Sequence, residues 1–327
     1  VPDLEAPTVT VAVPTLDEAA SITDLLDSLA RQTYPPHRFE IVIADGGSTD
    51  GTRELVDGWA SSHSLAVKLI DNPHRVPAGG FNEAIARSAA DVVIILGAHA
   101  EVAPEFIERS VAALVASGAD CAGGLIETCA RTRGGEAVAA ATTSRFGVGN
   151  AHFRTGGGSA GLVDTVAFGA YWRSLFDRIG PFDISLVGAE DDELSFRIIQ
   201  QGGRIWFDPT ITSRYVCRDN LRGLARQYHG YGRGKALVLR RHRRVPNLRM
   251  LAPGGLLLGL TVGVVTSVVR RSWWPFFVVT APYACVVTMG AREAARRRDV
   301  PPARVLPAFP TLHLSYGFGF MRGLLRP

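Results

Sequence analysis

Four short stretches carry the side chains best suited to chemistry. Glu190-Asp191-Asp192-Glu193 sets four carboxylates side by side. Adjacent carboxylates raise one another's proton affinity, which suits a group that must take a proton from a hydroxyl. Val13-Pro14-Thr15-Leu16-Asp17-Glu18 and Asp45-Gly46-Gly47-Ser48-Thr49-Asp50-Gly51-Thr52 both follow apolar runs. A carboxylate in such a place can accept hydrogen bonds from a base N–H or from ribose hydroxyls, and the glycines let the backbone turn sharply toward a ligand. Leu96-Gly97-Ala98-His99-Ala100-Glu101 adds an imidazole and a carboxylate, both within the ligand range of Mn²⁺. Each stretch also has a plainer reading. Residues 190–193 suit a solvated acidic helix start favoured by the helix dipole, Ser48-Thr49-Asp50 suits a helix N-cap, and His99 suits a structural loop.

The elements that must position these side chains are legible in the hydrophobic pattern. Residues 8–13 are apolar and β-branched and break at Pro14, and 40–44 form a second short strand ending at Asp45. A third strand is expected at 66–70. The continuous apolar run at 91–96 predicts a central strand covered on both faces. Helices are expected between them at 21–32, with Ile22, Leu25, Leu26 and Leu29 on one face, and at 52–61, 80–88 and 105–116. This alternation predicts an α/β fold with a doubly wound, mostly parallel sheet. Ligands of such sheets bind beyond the carboxyl ends of the strands, so the loops after Val13, Ala44 and Leu96 are where chemistry belongs. Residues 1–120 make a nucleotide-binding half. Residues 121–213 are rich in glycine and polar side chains, including Gly156-Gly157-Gly158, and are expected to bind an acceptor and complete the site.

From Arg214 the character changes. Between Arg214 and Arg249 lie eleven basic residues and one acidic residue, Asp219. This 214–250 segment reads as basic and amphipathic, and the region 251–327 that follows reads as membrane-embedded. Residues 251–269 carry no charge, nor do 273–291, and each stretch is near the ~20 residues that cross a bilayer core. A buried soluble hairpin is the competing reading. The heavy basic flanks, with Arg292, Arg296, Arg297 and Arg298 after the second stretch, predict that both outer ends face the cytosol. A third apolar segment, 306–321, broken by Pro307, Pro310 and His313, either spans or lies in the interface. Net charge is +4 over 327 residues, and the excess sits in this region beside apolar spans, which favours membrane over nucleic acid as its partner. The start, Val1-Pro2-Asp3-Leu4-Glu5, is neither basic nor apolar as a signal peptide would be, and lacks an initiator Met. Cys121, Cys129, Cys217 and Cys285 form no C-x-x-C pair and are expected to be reduced thiols.

Taken together, the Pro14–Glu18 and Asp45–Thr52 clusters resemble family 2 of the inverting GT-A glycosyltransferases. The likeness extends over about residues 8–240, and the subgroup it resembles is the succinoglycan-type polysaccharide glycosyltransferases. The resemblance implies a GT-A catalytic domain over 1–213, followed by C-terminal transmembrane helices. It implies that Pro14, Thr15 and Glu18 line the base pocket, that Asp45 with Gly46 holds base or ribose, and that Arg75, Ala78 and Asn82 lie on the loop reaching the donor diphosphate. Ala98 joins the donor site, and Arg233 or Lys235 is a further candidate for the diphosphate. It implies Asp191 as the catalytic base with Glu190 in support, Asp192 as the alternative base and acceptor contact, and Gly169 and Tyr171 under the acceptor. Arg197 is expected to pair with a carboxylate structurally. The family's D-x-D metal motif implies Mg²⁺ or Mn²⁺. Here Gly97 stands where the first aspartate belongs and His99 at the second, a departure that puts the cation requirement in question.

The implied function is inverting transfer of a sugar from a nucleotide-sugar donor to a lipid-linked or polysaccharide acceptor, in cell-envelope polysaccharide biosynthesis. The implied place is the cell (plasma) membrane, multi-pass, with the catalytic domain cytosolic. Two alternatives stand beside it. One is a processive polysaccharide synthase, against which the chain lacks a Gln-x-x-Arg-Trp motif (Gln227-Tyr228-His229-Gly230-Tyr231 is there) and has few spans. The other is an inactive GT-A-fold binding or scaffold protein, supported by Gly97 alone. A dehydrogenase would need a G-x-G-x-x-G turn after the first strand, which is missing.

Overall fold

The computed structural model describes residues 6–156, 158–245 and 248–325. The opening 1–5 and the middle glycine of Gly156-Gly157-Gly158 lie outside the described residues. The chain forms two compact units. One comprises Val1–Glu127 with Gly156–Tyr215, the other Thr128–Thr155 with Val216–Pro327.

In the first unit the strands are β1 (Val9–Thr15), β2 (Phe39–Asp45), β3 (Ala66–Asp71), β4 (Val92–Ile95), β5 (Ala100–Val102), β6 (Cys121–Cys129), β7 (Gly161–Leu162), β8 (Ala170–Trp172) and β9 (Ile205–Val216). The helices are α1 (Ile22–Ala30), α2 (Thr52–Ser62), α3 (Pro77–Arg87), α4 (Phe106–Ser117), and, after the excursion into the second unit, α8 (Arg173–Ile179) and α9 (Glu190–Gln200). Every strand and helix expected before residue 120 is present. The helix α3 starts three residues earlier than expected because Pro77, its φ already helical and its N–H missing, suits the first helical turn.

The sheet runs β3-β2-β1-β4-β8-β6-β9-β5, with β7 on β9. The first four strands are parallel and in doubly wound order, β1 pairing β2 from Val9↔Phe39 to Thr15↔Asp45. The strand β8 then joins β4 antiparallel, as do β5 and β7 on β9. The sheet is therefore mixed, and "mostly parallel" holds for its β3-β2-β1-β4 half. Val11, Val13, Ile41, Ile43, Val92 and Ile94 are buried in the core with the Leu25-Leu26-Leu29 face of α1, as continuous apolar strands flanked by helices require.

Helix α3 comes close to the sheet at Gly80. A Cβ on Gly80 would stand 2.7 Å from Pro14 Cβ and 3.2 Å from Ala44 Cβ. Gly80→Val should therefore overpack this contact and cost about 1–3 kcal/mol, read as a lowered midpoint in thermal unfolding. An unchanged midpoint would show that the contact yields freely.

The second unit contains α5 (Arg133–Thr142), α6 (Arg145–Val148), α7 (His152–Thr155), α10 (Leu221–His242), α11 (Ala252–Arg270), α12 (Trp274–Arg298), α13 (Pro302–Val305) and α14 (Ala308–Leu325). The last stretch of the second unit opens at Val216. The excursion 128–155, expected within a continuous 1–213 domain, instead packs with the C-terminal helices. Helix α5, buried from Ala137 to Thr142, lies against α12 and α13, and Arg298 donates to the Thr128 carbonyl at 2.7 Å.

Helices α10 and α14 meet through glycines. A Cβ on Gly232 would lie 2.1 Å from the Tyr316 carbonyl oxygen, and one on Gly319 would lie 2.0 Å from that of His229. Small residues are what permit backbones to touch in this way. Among the described residues two helices are long and apolar enough to cross a membrane, within Leu248–Arg270 and Trp274–Arg298, and only 17% of each apolar window is buried. A core helix of a soluble protein would be mostly covered. These two leave Leu258, Val265, Val269, Phe277 and Val278 exposed, so the apolar surface is suited to lipid. Residues 308–321 of the third apolar segment lie in α14, which is not one of the two. The four cysteines are free thiols.

Candidate functional site

The site is built first from the loops after β1 and β2. Thr15 and Asp45 end paired strands in register, and Asp45 is almost wholly buried there. Its carboxylate accepts from the Thr15 hydroxyl (3.2 Å), the Ser48 hydroxyl (2.5 Å), the Gly47 and Ser48 amides (3.0 Å each) and Arg53 Nη1 (2.9 Å). Burial opposes ionisation of Asp45, but the bonds from Ser48, Arg53 and Gly47 outweigh it and hold the carboxyl below its ordinary value. Charged hydrogen bonds of this kind are strong, so Asp45 fixes the shape of the Gly46-Gly47 turn.

The two motif loops also hold each other. Ser48 Oγ accepts from the Asp17 amide, Thr52 Oγ1 from that of Glu18, and Asp50 from that of Ala19, each at 2.9 Å. In return the Thr49 amide donates to Asp17 at 2.8 Å. Asp50 serves both readings: its Oδ2 joins this lacing while its Oδ1 accepts from the Thr52 amide that opens α2 at 3.1 Å, and the cap position itself falls to Gly51 at φ 94°. Pro14 is half-buried beneath the loops.

Arg75 and Asn72 bring in the loop after β3. Arg75 takes a left-handed φ of 54°. Its Cα and guanidinium lie over the two glycines, 3.3 Å from where a Gly46 Cβ would be and 3.1 Å from a Gly47 Cβ. Asp17 (φ 57°) and Phe168 (φ 51°) are likewise left-handed. Non-glycine residues in this region are strained and cluster at functional sites. Asn72 is buried, donates to the Val76 carbonyl at 3.0 Å, and leaves its Oδ1 without a partner. The sequence places Asn72 at the head of the loop but gives no sign of this orphaned acceptor. Ala78 is buried in the first turn of α3.

After β4, Ala98 is buried and the His99 side chain is half-exposed. His99 Nδ1 lies 3.7 Å from Glu18 Oε1. The imidazole holds the Glu18 carboxyl below its ordinary value, against burial and with help from Ser21. A Cβ on Gly97 would meet the His99 ring at 3.6 Å and the Phe168 ring at 3.7 Å, ordinary contacts that leave room for a side chain the sequence does not supply. Among the described residues no group of three His, Cys, Asp or Glu gathers to hold an ion. One nitrogen and one carboxylate fall short of the oxygen-rich set that Mg²⁺ prefers, so the residues present do not fit such an ion.

The acid cluster opens α9, as expected, with all four carboxylates in its first turn. Burial raises the Glu190 carboxyl above its ordinary value, against backbone amides that favour its charge, and its Oε2 is enclosed without a partner. Asp191 and Asp192 are part-exposed, and the Asp192 amide donates to Asp191 Oδ1 at 2.8 Å. The approach to α9 is tied down twice. Asn82, read as a donor contact, exchanges two 2.9 Å hydrogen bonds with the Phe182 backbone and so joins α3 to this loop. Arg197 grips both Glu193 oxygens (2.8–3.0 Å) and donates to the carbonyls of Ile179 (2.6 Å) and Pro181 (2.7 Å), the structural pairing its position predicts.

Tyr171 corrects an expectation. It is fully buried in a cluster with Phe176 and Phe182, so its ring has no face to offer an acceptor. Burial first, then Cys121 and the charges of Asp191 and Asp192, push its hydroxyl well above the ordinary value. Gly169, where a Cβ would stand 2.8 Å from that ring, accepts from the Ile95 amide at 3.0 Å and joins β8 to the end of β4. Arg233 lies on α10 in the second unit.

Residues 10–179 match Glycosyl transferase family 2. The succinoglycan biosynthesis protein ExoA of Rhizobium meliloti is 32% identical over 318 residues, 96% of this chain and 94% of its own length. A Methanococcus voltae dolichyl N-acetyl-alpha-D-glucosaminyl phosphate 3-beta-D-2,3-diacetamido-2,3-dideoxy-beta-D-glucuronosyltransferase is 24% identical over 97% of both chains. Among solved structures, the mannosyltransferase PcManGT of Pyrobaculum calidifontis, in complex with GDP-Man and Mn²⁺, aligns at TM-score 0.63 and 22% identity over 98% of this chain and 88% of its own. S. aureus TarS 1-349 aligns at TM-score 0.54 and 18% identity over 96% and 90%. At these identities the structural likeness speaks for the fold.

Proposed function

Because the chain belongs to glycosyl transferase family 2 and has the GT-A fold, and is thus a glycosyltransferase, we propose that it performs an inverting transfer from a nucleotide-sugar to a lipid-linked or polysaccharide acceptor. Relatives named for succinoglycan and for a dolichyl phosphate sugar support that acceptor class. The donor's base and ribose bind over the laced 14–18 and 45–52 loops, Thr15 and Asp45 shaping the floor and Glu18 facing the pocket. Arg75, held over Gly46-Gly47, meets the diphosphate, with Ala78, Ala98 and the α3 amides behind it.

In the reaction the Asp191 carboxylate takes the acceptor hydroxyl's proton. The oxygen forms its bond to the anomeric carbon as the bond to the diphosphate oxygen breaks, and the diphosphate leaves with the electron pair from the opposite face. Holding hydroxyl and carbon in line is what inversion requires of the site, and cationic groups stabilise the charge that develops on the leaving diphosphate. Asp192, beside the base, contacts the acceptor. Glu190 is a positioning residue. The observation that carries the proposal is the joining of a part-exposed carboxylate at the start of α9, through Asn82 and Phe182, to the helix that follows the donor loop.

A divalent cation such as the Mn²⁺ in PcManGT would have His99 for a ligand with Glu18 beside it, and no step above depends on one. The basic stretches on either side of the two apolar helices favour a multi-pass arrangement in the cell membrane with the catalytic unit cytosolic.

The test is turnover by the full chain in detergent across a nucleotide-sugar panel, with lipid-linked acceptors and with Mg²⁺, Mn²⁺ or EDTA. We expect transfer with inverted configuration that survives EDTA with at most a modest loss. Donor binding without transfer to any acceptor would overturn the reading in favour of a binding protein, and complete loss in EDTA would return the diphosphate to a metal.

A further inference from the structure

The second unit carries an open surface pocket that the transfer reaction leaves unused. It measures about 440 Å³ and is lined by Arg145, Phe146, Met289, Arg292, Glu293, Arg296 and Arg297. Four guanidinium groups face one carboxylate. Glu293 engages two of them, Arg145 at 3.3 Å and Arg297 at 2.7 Å. Arg292 and Arg296, one helical turn apart, are exposed and have no ion pair among the described residues. The wall is firm. Gly290 brings α12 so near α6 that a Cβ would stand 2.7 Å from Phe146 Cβ. The Phe146 carbonyl accepts from His313 Nε2 at 2.9 Å, and the Arg145 guanidinium lies 5.1 Å over the Phe146 ring.

Its position along α12 indicates the ligand. Residues 274–291 carry no charge, and at 1.5 Å per residue they span about 27 Å, close to the ~30 Å hydrocarbon thickness of a bilayer. Arg292 begins where headgroups begin. Met289, 59% exposed one turn earlier, and Phe146 give the pocket an apolar edge. A guanidinium fork matches the paired oxygens of a phosphate. We infer that the pocket between α6 and the end of α12 is a binding site for the phosphate headgroup of an anionic membrane lipid, with Arg292 and Arg296 as its ligands, the Glu293-held Arg145 and Arg297 as its sides, and Met289 and Phe146 against the first acyl carbons. The inference rests on the membrane reading of α12.

The experiment uses the full chain. Flotation with vesicles of pure phosphatidylcholine tests the membrane reading by itself, and failure to float would remove both that reading and the site. Vesicles of four parts phosphatidylcholine to one part phosphatidylglycerol then test the site, with retained lipid read by native mass spectrometry. We expect phosphatidylglycerol to be enriched on the wild-type chain and the enrichment to fall about tenfold or more in Arg292→Gln/Arg296→Gln. Arg270→Gln, at the opposite end of the hairpin, should leave it unchanged. Both arginines of the double variant are exposed, so its unfolding midpoint should match wild type. Equal enrichment in the double variant, or an equal fall in Arg270→Gln, would overturn the inference. So would a midpoint raised by soluble glycerol 3-phosphate without lipid enrichment, which would mark a site for free phosphates.

Discussion

Asp191→Asn will lower transfer by about 10²–10⁴-fold, the usual contribution of a positioned general base, while leaving donor binding and the unfolding midpoint near wild type. Asparagine keeps the size of the side chain and its oxygen acceptor for the Asp192 amide, and it is tolerated in the first turn of a helix, so what is removed is basicity. The rate loss should appear in kcat, with the donor KM little changed, because the proton moves only as the acceptor attacks. Single-turnover assays with the lipid-linked acceptor read it directly. Full activity in Asp191→Asn, with the loss found in Asp192→Asn, would move the base one residue along α9. Loss in neither would end the proposal of a carboxylate base in this cluster.

Arg197→Met should unfold the α9 side of the first unit at a much lower temperature. Glu193 is nearly enclosed, at 3% side-chain exposure, and Arg197 is its bidentate partner while also satisfying the carbonyls of Ile179 and Pro181. Removing the cation leaves a buried carboxylate and orphaned carbonyls, a change worth about 3–5 kcal/mol. Lysine does not restore it, since a point charge cannot hold both carboxylate oxygens and the loop together. Denaturant unfolding of the catalytic unit within the full chain measures the loss. The double replacement Glu193→Leu/Arg197→Met should recover part of it, because the uncompensated charge is gone. A loss below about 1 kcal/mol would place the pair among weakly contributing surface bridges.

The parts of the fold that were legible are those in which local sequence and local structure have the same cause. The buried strands β1, β2 and β4 read as apolar runs because helices cover both their faces, and the Asp45–Thr52 stretch reads as a ligand loop because its glycines follow a strand end. The change of character at Arg214 is a matter of composition, a run of basic residues followed by apolar stretches, and is visible without any knowledge of packing. Contacts between distant stretches were not legible. Nothing in the alanine-rich run at 137–141 distinguishes a helix of the catalytic unit from one that packs on α12. Asp45 presents itself in sequence as a free carboxylate, and only the fold supplies the five donors that occupy it. Tyr171 could have faced either way, since a three-residue strand has too little alternation to fix its register. Asn72 belongs to the same group. Its orphaned oxygen arises where α3 presses Gly79 against it, at 2.8 Å from an added Cβ.

The exchange of hydrogen bonds between the loops after β1 and β2 bears on redesign. Ser48, Asp50 and Thr52 each satisfy an amide of the 17–19 segment, and Asp17 satisfies one in return. A stretch transplanted from a homologue into one of these positions would arrive without its counterpart, and amides near the ligand would be left bare. Residues 16–19 and 48–52 thus behave as a single exchangeable cassette. On the proposed placement of the donor over these loops, attempts to retune its nucleotide will have to carry both halves across together.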